Sequence, residues 1–172
     1  MSVHKRPYDE PIIMIEHNAF ENAFNRLYEE TMALIEKTAT YIDSEGKVVA
    51  RTLSPEISTL YAKEAMYLST RLMQIASQLL LLRAEREGEM SPEQIKKEIV
   101  KVSLHTPTLE LETSHWDELP EIFRQFVAHS LRLEARIQYL RAGWETAVAS
   151  DLSDENPVGK QIELLKTAFG RS

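Results

Sequence analysis

Residues 54–88 read SPEISTLYAKEAMYLSTRLMQIASQLLLLRAEREG, and this stretch decides the fold. Ser54 is placed to cap a helix, and Pro55 falls at the first helical position, where a missing amide hydrogen costs little. Gly88 supplies the stop. Between them Tyr61, Ala65, Leu68, Leu72, Ile75, Leu79 and Leu82 alternate spacings of four and three. Met66, Met73 and Leu80 recur every seven residues on a neighbouring face. The pattern predicts one helix of roughly 50 Å, at about 1.5 Å per residue, that is apolar on two surfaces. One surface belongs to an intramolecular bundle; the second asks for another helix or another subunit.

Outward from this helix, the scarce Gly and Pro residues fall mostly between periodic segments. Residues 18–43 carry Phe20, Phe24, Leu27, Thr31, Leu34, Thr38 and Tyr41 at four-three spacing, with Asn18 as N-cap and Asp43-Ser44-Glu45-Gly46 as stop and turn. Ser91-Pro92-Glu93-Gln94 is a capping box that opens a short helix to about Lys101, with Ile95, Ile99 and Val102 on one side. Residues 103–120 hold no sustained period, and a loop of that length in a compact domain is usually either functional or mobile. Residues 120–149 resume the stripe through Leu119, Phe123, Phe126, Ser130, Leu133, Ile137, Leu140, Trp144 and Ala147. The expected architecture is all-α: an antiparallel three-helix bundle over 18–149, an N-terminal arm over 1–17 and a C-terminal tail over 150–172. Within the tail Val158, Ile162, Leu165 and Phe169 lie at helical spacing, in a segment too short to hold a helix alone in water.

Composition narrows the function. Of 172 residues, 43% are hydrophobic, enough for one buried core. A net charge of -7 opposes phosphate backbones and anionic membrane surfaces, so neither nucleic acid nor membrane is expected as a partner. The chain has no cysteine, which removes disulfides, thiolate metal sites and thiol nucleophiles together and fits a reducing cytoplasm. The N-terminal apolar run Ile12-Ile13-Met14-Ile15 is too short for a signal peptide, and Leu79 to Leu82 is far short of a membrane span.

No residue pattern points to an enzyme. A di-metal carboxylate site in a bundle needs two inward Glu-x-x-His pairs; only Glu112-Thr113-Ser114-His115 matches, and it lies in the loop. There is neither Gly-x-Ser-x-Gly nor a glycine-rich phosphate loop. No cofactor or metal is expected. His129 invites comparison with histidine phosphotransfer bundles, since Arg132 follows it, yet Leu133 stands where a glycine would admit phosphate. A phosphorelay protein using His129 is therefore the alternative function.

Contact surfaces are the better candidates. From Ser103 to Pro120 the charges are Glu110, Glu112, Asp117 and Glu118 with no Lys or Arg, interleaved with Leu109, Leu111, Trp116 and Leu119. Such an acidic segment docks a partner through its aromatic and leucine anchors, or folds back to cap the bundle. Val158, Ile162, Leu165 and Phe169 of the tail offer a second docking stripe. Met66, Met73 and Leu80 offer a dimer or second packing face. Glu64 and Arg71 flank the seam of the second long helix, and Arg132, Glu134 and Arg136 that of the third. Ion pairs there would set helix register, but solvated flanking charge is the simpler expectation, because surface pairs contribute little.

The run from Tyr61 through Ser77, continuing through Leu79-Leu80-Leu81-Leu82-Arg83-Ala84 to Glu87-Gly88-Glu89-Met90, resembles the signature block of the regulator of CtrA degradation (RcdA) family of alphaproteobacteria. Glu36-Lys37-Thr38-Ala39 before Tyr41-Ile42-Asp43, and Glu134-Ala135-Arg136-Ile137, are similar too. The likeness runs from about Ala19 to Ala149. It implies a three-helix bundle that forms homodimers and acts as a noncatalytic adaptor for the ClpX-ClpP protease in the cell cycle. It also implies recruitment by the response regulator CpdR and delivery of protein substrates or further adaptors. The family's tail is a docking segment; the amphipathic pattern of 158–169 departs from it.

Overall fold

The computed structural model describes residues 10–102 and 115–153, and the side chains of 18–102 and 115–143. Among the described residues five α-helices follow in order: α1 (Glu10–Asp43), α2 (Glu45–Ala50), α3 (Pro55–Arg86), α4 (Pro92–Lys101) and α5 (Glu121–Ser153), with a 3-10 turn at Trp116–Glu118. No strand occurs among the described residues. The all-α bundle is as expected. The chain divides into two units, Met1–Ile137 and Gln138–Ser172, and α5 supplies helix to each.

The start and stop chemistry reads directly from side chains. Ser54 Oγ accepts the amide of Ile57 at 3.3 Å, with Pro55 in the first turn of α3. At the far end Gly88 takes a positive φ of 72°, the amide of Gly88 reaches Glu85 O at 3.1 Å and that of Glu89 reaches Ala84 O at 2.9 Å. This is a Schellman stop, in which a left-handed glycine lets the last carbonyls find donors. At α4 the capping box closes both ways: Gln94 N donates to Ser91 Oγ at 3.3 Å and Ser91 N donates to Gln94 Oε1 at 2.9 Å.

Two boundaries differ from expectation. Helix α1 begins at Glu10, inside the expected arm, with Pro11 in the first turn where its lost amide hydrogen is harmless. Asp43-Ser44 turns the chain, but Glu45-Gly46 continue as α2 rather than loop. Gly46 is the reason this corner closes. It is buried, and a Cβ there would sit 2.6 Å from Tyr61 Oη and 2.8 Å from the carbonyl oxygen of Tyr41.

The core of the first unit is the predicted set of stripes: Phe24, Leu27 and Leu34 from α1, Leu68, Leu72, Ile75 and Leu79 from α3, Phe123, Leu133 and Ile137 from α5. Contacts fix the directions. Arg86 of α3 pairs with Glu21 of α1 at 2.7 Å, and Arg83 stacks on Tyr28, so α1 and α3 are antiparallel. Tyr41 meets Phe126 edge-on at 5.5 Å while Glu30 meets His129 and Arg136, so α1 and α5 are antiparallel too. Tyr61 packs on Phe123 at 4.6 Å and Arg71 reaches Ser130 and Glu134. Helices α3 and α5 therefore run in the same direction. A parallel pair needs a crossover, and residues 87–120 provide it, with α4 laid back on α3 through Ile95 and Ile99 and a 2.8 Å bond from Gln78 Nε2 to Val102 O.

Candidate contact surfaces

A polar layer runs through the centre of the first unit. Arg71 is fully buried; its Nη1 donates to Ser130 Oγ at 3.0 Å and its Nε lies 3.2 Å from Glu134 Oε2. Ser130 Oγ donates its own hydrogen bond to Val127 O at 2.7 Å. One turn before the core residue Leu68, Glu64 is also buried, and neither carboxylate oxygen has a hydrogen-bond partner among the described residues. Burial raises the Glu64 carboxyl above its ordinary range, more than Arg71 and Lys63 lower it. These residues correct the expectation of solvated flanking charge. Glu64, Arg71 and Gln78 follow one another every seven residues, a second inward stripe on α3 made of polar side chains. A heptad of apolar residues hid it, because polar residues at regular spacing read by default as a wet face.

The outer side of α3 carries the methionine stripe. Met66, Met73 and Leu80 are 70%, 71% and 50% exposed. Each stands two residues before a core residue, Leu68, Ile75 and Leu82, which at about 100° per residue turns it away from the bundle. No helix among the described residues of this chain covers the stripe.

The acidic segment is described only at its end. Trp116 is half-buried, Asp117 is exposed and pairs with Arg124 at 3.1 Å, and Leu119 is buried. His115 ties the 3-10 turn to α3, with Nδ1 2.8 Å from Glu118 Oε1 and Nε2 3.4 Å from Glu56 Oε1. The hydrogen bond to Glu118 raises the His115 pKa more than desolvation lowers it, and the charges of Glu56 and Glu118 add to the rise. Leu109, Glu110, Leu111 and Glu112 lie outside the described residues, as do Val158, Ile162, Leu165 and Phe169 of the tail. No group of three metal-binding side chains occurs among the described residues, and none of the described helices is long and apolar enough to cross a membrane.

His129 sits between α1 and α5 with Nε2 2.7 Å from Glu30 Oε1, and Arg136 holds the other oxygen of that carboxylate. A carboxylate on Nε2 occupies the place a phosphoryl group would take. Beside this trio runs a furrow between α1 and α5, two hollows of about 440 and 540 Å³ that share Ala33, Lys37 and Phe126. Sequence reading placed Phe126 in the core; the structure half-exposes it and buries Val127 instead. The signal was the adjacent pair of apolar residues, either of which satisfies the stripe.

Compared with known proteins, the chain matches over residues 15–169 the family described as a protein of unknown function, DUF1465. It belongs to that family. Among solved structures it is similar to RcdA from Caulobacter crescentus CB15, at 39% identity and a TM-score of 0.56, over 69% of this chain and 87% of that one. The chain is thus a DUF1465 protein of RcdA-like kind. No protein of curated function matches it. Within this RcdA-like chain the block from Tyr61 to Leu82 supplies both the bundle core and the exposed methionines.

Proposed function

We propose that this chain is a noncatalytic adaptor of the cytoplasm that helps deliver substrates to the ClpX-ClpP protease in cell-cycle-regulated proteolysis. The observation that carries this reading is the 39% identity to RcdA of Caulobacter crescentus over 69% of the chain. The protease, the response regulator CpdR and the protein substrates or further adaptors are its partners in this proposal. A homodimer formed through Met66, Met73 and Leu80 is part of it, since three large apolar side chains in a row on a helix face are costly to leave in water. Trp116 and Asp117, with the neighbouring Leu109, Glu110, Leu111 and Glu112, and the tail residues Val158, Ile162, Leu165 and Phe169, are the proposed docking segments.

Purified ClpX, CpdR and this protein, mixed and resolved by gel filtration, should yield a complex. A reconstituted degradation reaction should turn substrate over faster in its presence. Unchanged turnover together with no complex would sink the reading.

A further inference from the structure

We propose that the furrow between α1 and α5 is a docking site for an acidic amphipathic helix of a partner protein. The proposal rests on the adaptor reading for who supplies that helix, while its chemistry stands on the furrow alone. Its floor is apolar: Phe126 is half-buried, Ala33 is exposed and Ile122 is 41% exposed, so hydrophobic surface lies open along a concave line. Burying such side chains is the main favourable term of helix-in-groove recognition. From Glu30 to Tyr41 on α1 the furrow spans about 16 Å, which accepts about three helical turns.

Charge selects the occupant. The protein carries -7 overall, yet Arg132 lines the His129 hollow and Lys37 lines both hollows, each exposed and neither paired with a carboxylate among the described residues. Glu30, the carboxylate at that end, is already held by His129 and Arg136. Two cations beside an apolar floor match a helix with leucine-like residues along one face and carboxylates beside them. The other end holds Glu36 and Glu45, which sets the direction: the acidic part of the guest lies toward Arg132. No residue of α3 lines the furrow, so covering the methionine stripe uses none of its lining.

The test uses the full chain and a fluorescent peptide of about three turns with leucines on one face and glutamates flanking them, against the same peptide with lysines for glutamates. Anisotropy titration should show the acidic peptide binding at least about tenfold more tightly. The double variant K37E/R132E should weaken the acidic peptide by at least about tenfold, Ile122→Asp should weaken both peptides, and Met73→Glu, on the outer face of α3, should leave both unchanged. Equal binding of the two peptides, or acidic-peptide binding untouched by K37E/R132E, overturns the proposal. Peptide selectivity without any effect of the protein on ClpX-ClpP turnover overturns the adaptor reading instead and leaves the furrow standing.

Discussion

Glu64 and Arg71 show how much a single residue can weigh in a small bundle. A buried carboxylate without hydrogen bonds is costly to ionise, and Glu64 has its pKa raised in the folded state. A carboxyl raised on folding contributes stability below its unfolded pKa and loses that contribution as pH rises through the folded value. Burial of Glu64 therefore costs stability as pH rises. Glu64→Gln should stabilise the protein by about 1 kcal/mol at neutral pH. The gain should shrink toward acid pH, as chemical denaturation at the two pH values would show. Arg71 is the reverse case: Arg71→Met leaves Glu134 and Glu64 buried without their counter-charge and should cost about 3–5 kcal/mol, read as a fall in urea midpoint. Gly46→Ala should cost about 1–3 kcal/mol, because the new methyl would overlap Tyr61 Oη and a rigid Tyr41 carbonyl.

At the scale of helices, one half-buried hub helps join α1 to α5. Partial burial pushes the Glu30 carboxyl up, but hydrogen bonds from His129 and Arg136, with their charges, outweigh it and hold the pKa below the ordinary 4.5. A depressed carboxyl stabilises above its unfolded pKa and loses that stabilisation as pH falls through the folded value. Glu30→Gln should flatten the acid side of the stability profile below about pH 4.5, measured by thermal melts across pH, and change it least toward the lowest pH. Helix boundaries at this scale were legible because capping is local: Ser54, Gly88 and the Ser91–Gln94 box each act within four residues. The parallel course of α3 and α5 was not, since it is set by Tyr61 meeting Phe123 and Arg71 meeting Ser130, contacts about sixty residues apart.

For the whole molecule, two surfaces lie open among the described residues and share no lining residue, the methionine stripe on α3 and the furrow between α1 and α5. An adaptor that joins a copy of itself by one face and a guest by another needs that separation. Met66→Glu with Met73→Glu should leave the helical content and thermal midpoint nearly unchanged, since both residues are exposed, and should shift the protein to monomer in sedimentation at micromolar concentration. A dimer that survives the double variant would place the subunit contact elsewhere.

What the amino-acid order determined by itself was the helical class, the caps that bound α3 and α4, the apolar core stripes and the RcdA-like family, because each rests on residues within a few turns of one another. Only the tertiary structure decided which second face of α3 is which. The periodicity that marked Met66, Met73 and Leu80 as a second apolar face proved to describe an outward one, while Glu64, Arg71 and Gln78, polar and equally periodic, turned inward. The reason is that burial of a charge depends on a partner from another helix, and Ser130 and Glu134 reach Arg71 only once α5 lies alongside α3.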